Sequence, residues 1–149
     1  MYQRLVGRLI YLTNTSPDLT FAVSVVSQFM HAPRTAHMDA VHHILRYLKR
    51  SPGLSLFYPA GHQSRLSCFT DADYAGSQTD KRSTTGLNTF YSNHLISWRS
   101  KKQAVVSRSS AQAKYCAMAQ GTCEILWIRS ILNESGFTEK GSSQLFCDN

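Results

Sequence analysis

Two aspartates stand where apolar, strand-like runs give out. Asp71 follows Cys68-Phe-Thr, and Asp148 follows Leu145-Phe-Cys. Carboxylates at the ends of two strands of one sheet can converge, and a few carboxylate oxygens are what Mg2+ takes alongside a substrate phosphate. Aspartate also ends strands because its short side chain suits turns, so the residues alone leave both readings open. Basic groups gather around the first aspartate and beyond it: Lys81 and Arg82, then Arg99, Lys101 and Lys102, then Arg108. With Trp98 and Tyr74 as neighbours they suit the phosphates of a nucleic acid; as solvated strand ends and a charged turn they need no partner at all. His37, His42 and His43 lack the partner set of a zinc site and read as a surface helix. Ser109 and Ser110 read as helix caps rather than nucleophiles, since no His–Asp pair stands in a suitable context.

The elements that must position these residues change character at Ser51-Pro52-Gly53. Before it the apolar period is helical. Leu5, Val6, Leu9, Ile10 and Leu12 predict a first helix, and Ser16-Pro17-Asp18 opens a second, with Phe21, Val25, Val26 and Phe29 as its stripe. A third runs from about Thr35 to Arg50 with Met38, Val41, Ile44, Leu45 and Leu48 on one face. After the break the period becomes strand-like: Leu54 to Tyr58, Leu66 to Thr70, then Thr85 to Ser92 and His94 to Trp98 joined at Ser92-Asn93. A long helix from about Ser109 to Leu132 ends at Ser135-Gly136, and Gln144 to Cys147 is a last strand. Strands, helix, strand is an α/β layer pattern.

With 149 residues, 42% of them hydrophobic and 17% charged, the chain has material for a core and is not a disordered tail. Its net charge of +7 favours a polyanionic partner, most simply nucleic acid. The four cysteines form no Cys-x-x-Cys pair, which excludes a zinc ribbon. Cys68, Cys116 and Cys123 lie in apolar runs and read as buried, reduced thiols, which favours a cytoplasmic or nuclear compartment. No apolar run approaches bilayer-spanning length, so no membrane partner is expected. Arg4 and Arg8 precede the first acid, Asp18; such a start also fits a mitochondrial presequence, although the same segment reads as the first helix.

Four blocks carry a resemblance over nearly the whole chain. They are Tyr2-Gln-Arg-Leu-Val-Gly-Arg-Leu-Ile-Tyr-Leu-Thr-Asn-Thr-Ser-Pro-Asp18 with Phe21-Ala-Val23; Leu45-Arg-Tyr-Leu-Lys49 with Pro52-Gly53; Asp71-Ala-Asp-Tyr-Ala-Gly76 with Arg82-Ser-Thr-Thr-Gly86; and Ser97-Trp-Arg-Ser-Lys-Lys-Gln103, Ser109-Ser-Ala111 and Cys147-Asp-Asn149. In this order they resemble the Pol polyproteins of copia-type LTR retrotransposons. The resemblance implies a helical end of a reverse transcriptase at residues 1–58. For residues 59–149 it implies an incomplete ribonuclease H-like mixed sheet with one long helix. It also implies a chemistry: two Mg2+ ions, one activating water and one stabilising the leaving oxygen, cleave the RNA strand of an RNA–DNA hybrid.

Of that family's acids, Asp71 matches the first and Asp148 the third. The helix acid is replaced: the family's Ser-Ser-x-Glu-Ala-Glu-Tyr is Ser109-Ser-Ala-Gln-Ala-Lys-Tyr115 here, with Lys114 at the catalytic position. A further acid of the family would lie beyond Asn149. An ammonium repels the cations and is expected to pair with Asp71 or Asp148. Glu124 lies ten residues further along the helix, about 15 Å away, and does not substitute. The resemblance therefore points to a Pol remnant without catalysis and without stably bound Mg2+. The alternatives are a non-catalytic nucleic-acid-binding module, a ribonuclease active only within a longer Pol product, and a remnant with no selected function. The partners it implies are RNA–DNA hybrid or other nucleic acid, held weakly and by charge, and the remainder of a Pol polyprotein.

Overall fold

A computed structural model describes residues 1–59, 65–77, 79–137 and 141–148. The chain divides into two compact units, Met1–Phe57 and Tyr58–Asn149.

The first unit is built from helices. α1 spans Tyr2–Leu12, a 3-10 turn spans Pro17–Leu19, α2 spans Thr20–Ser27 and α3 spans Thr35–Arg50. Tyr2, Val6 and Leu9 from α1, Leu19, Val23 and Val26, and Val41 and Ile44 from α3 make one core. The buried Tyr2 hydroxyl donates to the Val26 carbonyl at 2.6 Å, tying α1 to the end of α2. Of the stripe expected for α2, Val26 is buried and Phe29 half-buried, whereas Phe21 and Val25 are exposed and Val23 faces inward instead. The side that packs is set by its partners: Val23 and Val26 join the core made by Tyr2, Val6 and Leu9 of α1 and Val41 and Ile44 of α3. His37 is spent locally, since its Nδ1 accepts the Arg34 N–H at 3.0 Å and its ring stacks on Phe29.

The second unit is a four-stranded sheet with one long helix. β1 is Leu66–Asp73, β2 Thr84–Tyr91, β3 His94–Lys102 and β4 Gln144–Cys147, in the spatial order β3-β2-β1-β4. β4 runs parallel to β1 and the other pairs are antiparallel, so the sheet is mixed. α4, Ser110–Glu134, supplies the crossover. Ser92 and Asn93 both take positive φ (52° and 65°), the conformation of a two-residue hairpin turn whose twist matches the strands. Leu54–Tyr58 is not a strand: no neighbouring strand pairs with it among the described residues, and a strand without a ladder has nowhere to place its backbone groups.

Alternation along β1 buries Leu66, Cys68, Thr70 and Ala72 against α4 and leaves Phe69 and Asp71 on the opposite face. α4 answers with Ala113, Ala117, Gly121, Ile125 and Ile128. The approach is close at Gly121, where a Cβ would stand 2.4 Å from Thr70 Cγ2 and 2.9 Å from Leu145 Cδ1. Ser109 caps the helix, its hydroxyl accepting the Gln112 N–H at 3.1 Å. The buried Gln103 clamps the first turn to the sheet: its amide donates to Thr85 Oγ1 and to the Ala113 carbonyl, and its oxygen accepts from Ser107. Of the cysteines expected inside, Cys68 is buried, Cys116 is half-buried and Cys123 is exposed. Cys123 lies in a helix that also exposes Tyr115, Leu126 and Trp127, so apolar neighbours in sequence do not make its own side burial-facing.

Candidate functional site

The ladder brings the chemistry-bearing residues to one end of the sheet. Asp71 pairs with Gly86, Asp73 with Thr84, and Thr84 with Lys102, so the start of β2 and the ends of β1 and β3 are neighbours. In the parallel pair, Phe69 opposes Phe146 and Thr70 opposes Cys147, which carries Asp148 to the same end. The Phe69 and Phe146 rings stack at 4.8 Å and 15°. Beyond them Asp71 and Asp148 line one open depression of about 470 Å3, with Gly86 and Asn88 completing its wall. Asp71 lies within β1, two residues before its end, and its Oδ1 accepts the Ala72 N–H at 2.7 Å.

Lys114 reaches this end from α4, but not in the expected way. Its Nζ donates to the main-chain carbonyl of Asp148 at 3.0 Å, and no ion pair joins it to the Asp71 or Asp148 carboxylate among the described residues. Alternation along β1 puts the Asp71 carboxylate on the sheet face turned away from α4. A side chain arriving from the helix meets the edge of β4 first. Among the described residues no three His, Cys, Asp or Glu side chains group as a metal site.

The six cations singled out from the sequence fall into two sets. Arg82 Nε lies 3.5 Å and Lys102 Nζ 3.3 Å from the Asp80 carboxylate. Arg99 Nη2 lies 3.4 Å from Glu124 Oε2, and Ser97 donates to the other oxygen of that buried carboxylate. These three are internal partners of acids. Lys81, Lys101 and Arg108 are exposed, and among the described residues no acid pairs with their side chains. Lys81 is held out by a turn in which it takes a positive φ of 55°.

Asp80 was not singled out from the sequence, although its position just before Lys81-Arg82 was a signal. The Ser77 hydroxyl beside it, then the Arg82 main-chain N–H and the Lys102 ammonium, hold its carboxyl down to about 2. Burial pushes the Cys68 thiol up, opposed by its hydrogen bond from Thr89.

No family model and no solved structure matches the chain. Curated proteins do. It is 42% identical over 148 residues, 99% of its length, to the retrovirus-related Pol polyprotein from transposon RE1 of Arabidopsis thaliana. It is 38% identical over 148 residues to the corresponding polyprotein from transposon TNT 1-94 of Nicotiana tabacum. The chain spans 10% and 11% of those two proteins. It is also 38% identical over 128 residues to the secreted RxLR effector protein 161 of Plasmopara viticola, 90% of which it covers. Similarity over 99% of the chain decides the assignment: its close homologues are the copia-type retrovirus-related Pol polyproteins of transposons, at 38–42% identity.

Proposed function

We propose that residues 1–58 descend from the end of a reverse transcriptase and residues 59–149 from a ribonuclease H domain. On this reading the chain holds RNA–DNA hybrid or another nucleic acid through charge, without cleaving it. The observation that carries the reading is Lys114, whose ammonium rests on the Asp148 carbonyl at 3.0 Å. Two-ion hydrolysis asks several carboxylate oxygens to neutralise two divalent cations about 3.5–4 Å apart. Two carboxylates with an ammonium at the same sheet end do not fit that demand: the ammonium opposes any cation there and donates no lone pair. What the chain's own residues can do is attract phosphate, through Lys81, Lys101 and Arg108, with the +7 net charge steering the approach.

The test pairs cleavage with binding. Incubated with labelled hybrid in Mg2+ or Mn2+, the chain leaves the RNA strand as intact as a no-protein control, yet retains the hybrid at low salt. Metal-dependent cleavage that disappears in Asp71→Asn overturns the proposal. Lys114→Glu is expected to acquire Mg2+-dependent thermal stabilisation, about 1.4 kcal/mol for a site of about 1 mM affinity at about 10 mM ion. Equal stabilisation of the wild type removes Lys114 from its assigned role.

A further inference from the structure

The turn joining β1 to β2 gathers donors around a single carboxylate. Lys102 Nζ lies 3.3 Å from each oxygen of Asp80 and 3.0 Å from Ser77 Oγ. The Arg82 main-chain N–H donates to Asp80 Oδ1 at 3.3 Å, and Arg82 Nε approaches Oδ2 at 3.5 Å. The Lys102 side chain is only 21% exposed, and these contacts hold its ammonium in place. The main chain sets this arrangement independently of the carboxylate: Lys81 N–H donates to the Ser77 carbonyl at 2.9 Å and Ser77 N–H to the Arg82 carbonyl at 3.2 Å.

We propose that Ser77, Arg82 and Lys102 form a seat for one phosphate oxyanion of a nucleic-acid backbone, and that Asp80 occupies this seat and keeps it shut. An ammonium, a guanidinium edge, a hydroxyl and an N–H converging on one point match a phosphate, which offers more acceptor oxygens than a carboxylate and takes charge-assisted bonds from all of them. Lys81 follows Asp80 in the same turn and is exposed, so a backbone held by that cation passes close to the seat. Asp80 sits on a short side chain with 38% of it exposed, close enough to fill the seat and near enough to solvent to leave it. The choice of nucleic acid over any other phosphate rests on the proposed function; the seat itself does not.

Inorganic phosphate alone tests the seat. Followed through the amide resonances of Ser77, Arg82 and Lys102, the wild type is expected to show no saturable response. Asp80→Ala should saturate at a concentration at least about tenfold lower than any wild-type response, an added Lys102→Ala should abolish that, and Asp80→Asn should behave as Asp80→Ala. A folded Asp80→Ala or Asp80→Asn protein that gains no phosphate response overturns the seat, as does a wild type that binds equally well. Loss of fold in both variants overturns it too, because Asp80 would then be the pin of the turn and not its occupant. Hybrid binding is the second arm: two released cations should steepen the salt dependence of log K by about 2. Phosphate binding without that steepening keeps the seat and rejects nucleic acid as its ligand.

Discussion

Replacing Lys81, Lys101 and Arg108 together by alanine should flatten the salt dependence of hybrid binding, whereas replacing Arg82, Arg99 and Lys102 should barely change it. The difference follows from where each charge already goes. Arg82 and Lys102 face Asp80 at 3.5 and 3.3 Å, and Arg99 faces the buried Glu124 at 3.4 Å. A cation already neutralised by a carboxylate releases few counterions from an incoming backbone. Each unneutralised contact contributes about 0.9 to the slope of log K against log salt on a duplex, so losing three lowers it by about 2–3. Fluorescence anisotropy of a labelled hybrid across a potassium chloride series reads this slope directly. The internal triple variant should instead lose stability: Arg99→Ala alone strands a buried carboxylate and costs about 1 kcal/mol, since the arginine is itself half exposed. An unchanged slope in the exposed triple variant, or a larger drop in the internal one, refutes the partition.

Gly121→Ala should lower the denaturation midpoint: a Cβ 2.4 Å from Thr70 Cγ2 forces overpacking worth about 1–3 kcal/mol, against the roughly 1 kcal/mol that alanine gains in helix propensity. A raised midpoint would mean that α4 can ride away from β1 freely. Acid stability carries a further signature. Because the Asp80 carboxyl is held down to about 2 from its ordinary 3.8, its contribution is present above about pH 4 and is lost as pH falls towards 2. Urea midpoints measured from pH 5 to 2 should fall less steeply in Asp80→Asn, and equal slopes would detach this carboxylate from acid unfolding.

Much of the architecture was legible because it depends on local rules. Helical spacing in Tyr2–Leu12 and Thr35–Arg50, the Ser109 cap and the Ser92-Asn93 turn are consequences of backbone sterics and short-range patterning, and the structure has all of them. The local rules failed where a neighbour decided. Leu54–Tyr58 has strand-like composition but no strand beside it among the described residues, and α2 turns Val23 inward and Val25 outward because its core partners on α1 and α3 lie on that side. Cys123 sits among apolar residues that the helix itself leaves exposed.

At the candidate site the division is sharper. The sequence by itself determined the residue types: Asp71 and Asp148 after apolar runs, a lysine at position 114, and three groups of cations. Only the tertiary structure decided that Asp71 and Asp148 share one depression and that Lys114 meets a carbonyl and not a carboxylate. It alone decided that Arg82, Arg99 and Lys102 are already paired. Charge and hydrophobicity are properties of a residue and can be read in order along the chain. Pairing depends on ångström distances between residues such as Arg99 and Glu124, 25 positions apart, which strand register and the close packing at Gly121 set together.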